Sequence, residues 1–417
     1  MIARRQPIPM RVLSLLACLS FLPVGAATLP GFDGPFPVGR RELIWKDSTR
    51  PEDPANPDGT ARQIPVFVFY PARAVGQRAA YYPGLADLAD GPTLSALKAQ
   101  FQSSWEFVRH GTIQTDVFQD APLANANEPF PVLIFSPGLG APALAYTIQL
   151  GQLASHGYVV VALDHPYDTA LVRLPDGRLI PYTNRPVPSG PPNARAFRID
   201  AEREEVWTRD TQFAVSQLRN LNSGPGAFRG HLDVSKVGLF GHSMGGRVAV
   251  QACQVIPTLG ACLNEDGGLF GVDFRSGEII PFVKSDVSTV APLLNVDVPL
   301  SPPPGALDAA GQKQFEKWQS SKARLLSAFL SQNSKSTYKV VIDRKGFAHG
   351  SFMDIRLLNS LSANQGTTNV MADLTLVNQI TLAFFDDELK GKPGKVERLA
   401  EQNLPGVAVE RVRDSGK

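Results

Sequence analysis

Gly241-His242-Ser243-Met244-Gly245-Gly246 sets one serine between two glycines. An apolar run that includes Val237, Leu239 and Phe240 precedes it, and the small residues Gly245, Gly246 and Ala249 follow. A strand, a forced turn and a helix form the setting in which Gly-x-Ser-x-Gly leaves a serine hydroxyl exposed at an apex. The glycines have a steric task there, because the turn strains the serine backbone and a Cβ at Gly241 or Gly245 would collide with neighbouring chain. In a chain with 36 glycines the pattern also arises by chance, so the flanking strand and helix signals are what give it meaning.

A serine hydroxyl is a weak nucleophile at neutral pH and needs a base within hydrogen-bond reach, itself oriented by a third group. The chain has six histidines. His110, His156 and His231 fall in connections or at helix ends, and the side chain of His242, adjacent to Ser243, must point away from the serine's. His349 comes last, after a strand, in the small-residue loop Phe347-Ala348-His349-Gly350, and is the expected base. Two acids lie between serine and histidine. Asp266 ends the run 259–266, and Asp297 follows the apolar run 291–296. Upstream, the run 130–135 leads into Ser136-Pro137-Gly138-Leu139-Gly140-Ala141, a glycine-rich turn able to aim backbone N–H groups at a ligand oxygen. His165, with Asp164 and Asp168, follows another apolar run and is read either as a metal cluster or as a solvated loop at a pocket rim. No second metal-ligand spacing accompanies it, so the loop is the reading taken, and neither metal nor cofactor is expected.

These residues need a scaffold. Strand-like segments at 41–45 and 64–71 read as early antiparallel strands at a sheet edge. The runs 130–135, 158–163, 237–240, 291–296 and 338–342 are apolar on both faces, and they alternate with helical patterns at 143–156, 194–221, 306–332 and 376–390. That alternation means a mainly parallel sheet covered on both sides. A stretch at 76–128 interrupts it. Within this insertion, 92–108 reads as one helix with Leu94, Leu97, Phe101, Trp105 and Val108 on one face, either covering the core or walling an acyl pocket as a lid. Serine, then acid, then histidine is the chain order of an α/β-hydrolase triad.

The beginning of the chain reads as a leader. Arg4, Arg5 and Arg11 flank a short apolar run that ends in Pro23-Val24-Gly25-Ala26-Ala27, the pattern of a secretory signal peptide over 1–26 with cleavage after Ala26. Removing it takes three of the 41 basic residues and none of the 39 acidic ones, which leaves a charge of about −1. Such a balance offers no electrostatic basis for binding nucleic acid or an anionic membrane. No later run is long enough for an integral membrane span. With 43% hydrophobic and 19% charged residues, 27–417 has the material for one large globular domain.

At these residues the chain resembles the platelet-activating factor acetylhydrolase family of α/β-hydrolases, serine esterases that include secreted forms and bacterial relatives. The resemblance runs over 131–355. It is most specific in Phe135-Ser136-Pro137-Gly138-Leu139-Gly140-Ala141, Leu153-Ala154-Ser155-His156-Gly157-Tyr158, Gly241-His242-Ser243-Met244-Gly245-Gly246 and Phe347-Ala348-His349-Gly350-Ser351-Phe352. The early strands and the insertion are alike in layout only. The resemblance implies Ser243 as nucleophile, His349 as base, Asp266 as acid, the N–H groups of Leu139 and Met244 as an oxyanion hole, and a small-molecule or lipid ester of short acyl chain as substrate. Pro137 departs from the histidine common in the family before this glycine, which bears on substrate preference more than on the reaction. Competing readings are a cutinase-like polyester hydrolase, suggested by the same elbow, and a non-catalytic binding protein on a hydrolase fold. Asp297 stays open as the alternative acid.

After removal of the leader the remaining cysteines are Cys253, down the helix from Ser243, and Cys262, four residues before Asp266. The helical and strand rises place the two at similar depth, so a disulfide is expected, with two buried thiols as the alternative.

Overall fold

The computed structural model describes residues 26–53, 59–183, 194–272, 279–299, 307–333 and 335–412. The leader read over 1–26 lies outside them except for Ala26, as do most of the proline-rich stretches at 50–57 and 187–192.

Ten strands form one sheet. In chain order they are β1 (Val38–Pro51), β2 (Ala61–Pro71), β3 (Val117–Gln119), β4 (Phe130–Ser136), β5 (Val159–Leu163), β6 (Leu232–His242), β7 (Leu259–Glu265), β8 (Leu293–Asp297), β9 (Thr337–Ile342) and β10 (Val407–Arg411). Across the sheet the order is β10-β9-β8-β7-β6-β4-β5-β2-β1-β3. The run from β9 to β5 is parallel, and β2 then pairs antiparallel with β5 and with β1. The central strands carry apolar residues on both faces because alternate side chains go to opposite sides of the sheet and both sides are covered. Leu133, Phe135, Phe240, Leu263 and Val296 enter one packed layer; Val132, Ile134, Leu239, Cys262 and Leu293 enter the other. The first layer is closed by helices α1 (Thr147–Ser155) and α6 (Thr368–Leu389). The second is closed by α2 (Ala194–Ser223), α3 (Met244–Val255) and α4 (Ala309–Ser331); the remaining helix used below, α5, is Ile355–Ser362.

Both sheet edges differ from the sequence expectation. β3, from inside the insertion, lies outside β1 and pairs with it in parallel, and β10 follows the helix read as the closing one and pairs antiparallel with β9. The insertion is therefore built into the sheet. Its helix is also not continuous: two short helices, Ser95–Phe101 and Trp105–Arg109, are separated by a turn at Gln102, whose φ is 48°. The Ser104 hydroxyl donates to the Phe101 carbonyl at 2.7 Å, and its N–H donates to Asn359 Oδ1 on α5 at 3.0 Å, so side-chain bonding replaces the helical ladder there. All five apolar residues of the expected face are nevertheless buried in one cluster with Tyr81 and Ile355. Cys253 and Cys262 form a disulfide with Cα atoms 6.3 Å apart, tying the end of α3 to β7. No helix among the described residues is long and apolar enough to cross a membrane.

Trp105 is 5% exposed inside that cluster. Trp105→Ala should lower the free energy of denaturant unfolding by about 3–5 kcal/mol through the cavity it leaves. A loss under about 1 kcal/mol would instead place the indole at a solvated rim.

Candidate active site

β6 ends at His242 and α3 begins at Met244, so a single residue makes the turn. Ser243 holds φ 56° and ψ −121°, a conformation that costs a non-glycine residue about 1–3 kcal/mol and persists only where the surroundings impose it. They do so on two sides. A Cβ on Gly241 would come within 2.6 Å of the Ser136 carbonyl oxygen, and one on Gly245 would overlap that same oxygen. On the other side the Ser243 N–H donates to the Glu265 carbonyl at the end of β7, at 2.8 Å. The apex therefore stands between the ends of β4 and β7, with its side chain half-buried.

His349 Nε2 lies 2.9 Å from Ser243 Oγ, and its Nδ1 lies 2.6 Å from Asp266 Oδ2. The serine hydroxyl donates to Nε2 while Nδ1–H donates to the carboxylate, which is the tautomer required of a base. The imidazole is 51% exposed, whereas the carboxylate is nearly enclosed. Asp266 sits at φ 52°, in a turn closed by Asn264, whose Oδ1 accepts the Gly267 N–H and whose Nδ2 donates to the Gly267 carbonyl, both at 2.9 Å. Its free oxygen Oδ1 accepts the Val298 N–H at 2.9 Å, and its own N–H donates to the Val296 carbonyl at 3.0 Å. The residues flanking Asp297 thus hold Asp266 in place. Asp297 itself is paired with Lys322 Nζ at 3.3 Å on α4, one strand further from the serine.

Leu139 and Met244, the expected oxyanion donors, lie in the turn after β4 and at the start of α3. In the turn after β4 the N–H groups of Gly138, Gly140 and Ala141 are committed to Tyr146 Oη, the Asp168 carbonyl and the Gly138 carbonyl, which leaves that of Leu139. Met244 opens α3, where no carbonyl one turn back exists to accept its N–H. Turn and serine are close: a Cβ on Gly138 would lie 3.3 Å from Ser243 Cβ.

One histidine differs from expectation. His165 belongs neither to a metal cluster nor to a solvated loop; it is completely buried. Ser136 Oγ donates to its Nε2 at 3.0 Å, and its Nδ1 donates to Asp210 Oδ2 at 2.8 Å. Asp210 also receives Arg62 at 2.7 Å on each oxygen, and the Trp207 ring stacks on the imidazole at 4.0 Å. Burial alone would raise the Asp210 pKa, but the Arg62 charge and the bonds from His165 and Arg62 pull it below the usual range. Asp164 and Asp168 point elsewhere, Asp164 accepting the Ala143 N–H at 2.8 Å and Asp168 taking Arg203 and the Trp207 indole at 2.9 Å each. A second serine-histidine-aspartate chain is thus sealed in the core, where it braces the start of the oxyanion turn. Neither the partners of His165 nor those of His242 are near them in sequence, and only the apolar runs around them gave any hint of burial. Glu265, beside Asp266, is also buried; burial pushes its carboxyl up to about 8, so it stays neutral next to the acid at pH 7.

The parallel sheet, the strained serine apex and the Ser243–His349–Asp266 chain define an α/β-hydrolase arrangement. A ferulic acid esterase from Streptomyces cinnamoneus shares the fold, with a TM-score of 0.62 and 21% identity over 93% of this chain and all of that one. Residues 24–174 match the family model for platelet-activating factor acetylhydrolase, isoform II. A protein of Arthroderma benhamiae described as a probable 1-alkyl-2-acetylglycerophosphocholine esterase is 32% identical over 151 residues, 36% of this chain and 35% of that protein. The match thus spans about a third of that relative's length. Platelet-activating factor acetylhydrolase of Cavia porcellus is 24% identical over 412 residues, covering 91% of this chain and 81% of its own. The chain resembles the platelet-activating factor acetylhydrolase family. The family-model match takes in the early strands and the insertion, which sequence reading held to be alike in layout only, and it ends before Ser243.

Asp266→Asn should leave the fold intact and lower the reactivity of Ser243 toward an activated ester by about a thousandfold or more, through the wrong tautomer of His349. Asp297→Asn should leave that rate near the wild-type value. The opposite pattern would move the acid to Asp297.

Proposed function

We propose that this protein is a serine carboxylic-ester hydrolase that cleaves short-chain acyl esters through an acyl-enzyme. The observation that carries the proposal is the continuous hydrogen-bonded chain from Ser243 through His349 to Asp266, at an apex where the serine holds a positive φ. His349 takes the hydroxyl proton as Ser243 Oγ attacks the ester carbonyl, and Asp266 stabilises the imidazolium that forms. The N–H groups of Leu139 and Met244 receive the developing oxyanion. His349 then protonates the departing alkoxide, and a water activated by the same imidazole releases the acid and restores Ser243. Every bond made or broken is served by groups of this chain, so the reaction calls for no cofactor.

Short acyl chains are favoured because the names of the Arthroderma benhamiae and Cavia porcellus relatives both specify acetyl esters. A lipid or other small ester is favoured over an extended polyester because the serine at the apex is half-buried. Export is proposed from the leader pattern before Ala27 and agrees with the disulfide, which an oxidising compartment permits.

With a series of p-nitrophenyl esters, turnover should be highest for acetyl to butyryl groups and fall as the chain lengthens. Ser243→Ala should reduce it by several orders of magnitude with unfolding unchanged. Activity above about one tenth of wild type in Ser243→Ala, or a maximum at long chains, would contradict the nucleophile or the chain-length assignment respectively.

A further inference from the structure

We infer that His242 is a positioning residue that locks the oxyanion turn and the catalytic histidine into one unit, a role that rests on the hydrolase reading above. His242 is 2% exposed, and its ring packs against Tyr146, Phe352 and His349, with centroids at 5.7, 5.0 and 4.5 Å. Its Nε2 lies 2.8 Å from the carbonyl oxygen of His349. A carbonyl only accepts, so Nε2 carries the proton and donates. Burial, reinforced by the nearby His349, drives the His242 pKa well down, so the ring is neutral and Nδ1 is an acceptor. The group facing Nδ1 at 2.8 Å is the Tyr146 hydroxyl, which must donate to it. The Tyr146 oxygen in turn accepts the Gly138 N–H at 3.1 Å. The direction of every bond follows: Gly138 N–H to Tyr146, Tyr146 O–H to His242 Nδ1, and His242 Nε2–H to the His349 carbonyl.

That chain joins two parts of the site that come from different loops. Gly138 precedes Leu139, whose N–H is proposed to meet the oxyanion. His349 opens the short 3-10 turn His349–Phe352, and its own side chain is half exposed, so packing alone does not fix it. Anchoring its backbone carbonyl sets the origin from which the imidazole reaches Ser243. His242 touches neither the substrate nor Ser243 Oγ, and acts only through these two neighbours. Its position directly before the nucleophile is what sends its side chain away from the serine and into the gap between the turn and the histidine loop.

The test is a steady-state comparison on p-nitrophenyl acetate of wild type, Ser243→Ala, His242→Ala, His242→Gln and Tyr146→Phe, each with its thermal unfolding midpoint and its pH profile of kcat/KM. His242→Ala should lower kcat about a hundredfold with KM within about twofold, the scale on which an ångström of misplacement acts. His242→Gln, whose carboxamide nitrogen can reach the place of Nε2, should recover to within about tenfold of wild type. Tyr146→Phe keeps the ring and loses only the hydroxyl, and should lower kcat about tenfold, the scale of a single lost hydrogen bond. The acid limb of the profile should stay where it is in all three, because a neutral His242 does not set the basicity of His349. The inference is overturned if His242→Ala keeps kcat within about threefold, if the glutamine variant falls as far as alanine, or if the acid limb moves by about one pH unit or more. A wild-type rate no higher than that of Ser243→Ala would overturn the hydrolase reading itself, and this inference with it. A wild type far above Ser243→Ala beside an unimpaired His242→Ala overturns this inference alone.

Discussion

The constraint on which the rest of the structure depends is the backbone of Ser243, held at a positive φ between the ends of β4 and β7. The same Ser136 carbonyl leaves no room for a side chain at Gly241 or at Gly245, so the strand before the serine, the helix after it and the start of the oxyanion turn meet around one atom. None of the three can shift without the others. The Glu265 carbonyl fixes the serine from the far side, and the next residue along that strand is Asp266. Ser243, Asp266 and the turn after β4 thus inherit their spacing from three adjacent parallel strands rather than from the loops themselves. A six-stranded parallel core, packed on both faces, provides the rigidity against which strain of about 1–3 kcal/mol can be stored.

The histidine is the exception, since it comes from the loop beyond β9, three strands from the serine. Its position relies on hydrogen bonds instead of on strand spacing. Asp266 holds the imidazole and His242 holds the backbone carbonyl, while His165, Asp210 and Arg62 brace Ser136 from below. Two buried neutral or charge-compensated histidines support an exposed third. This division fits the proposed reaction: burial suppresses protonation of the supporting rings, whereas the exposed ring would gain and lose a proton each cycle.

Much of this was legible in the residues. The elbow could be read because its glycines are demanded by sterics at fixed spacing, and the central strands because both-face burial writes them as unbroken apolar runs. Asp266 was harder to separate from Asp297, since both end strands. What separates them is one strand of displacement and the Lys322 side chain, which arrives from α4. The break at Gln102 left no trace in the pattern, because Leu94 to Val108 keep the same buried face on either side of it. β3 has three residues and β10 lies beyond the helix read as the closing one, so neither stood out as part of the sheet. His165 was misread as a loop residue for a related reason: Arg62 and Asp210, which make its burial tolerable, are 148 positions apart and carry no mutual signal in the sequence.

The central claim is that Ser243 is the one activated nucleophile of this protein. It is tested most directly by treating the folded chain with a fluorophosphonate and locating the adduct by peptide mass mapping. The account predicts one equivalent of label on Ser243, abolished by Ser243→Ala and slowed at least a hundredfold or so by His349→Ala, since the base that activates the hydroxyl is gone. Absence of label, or label on another residue such as Ser136, would contradict it.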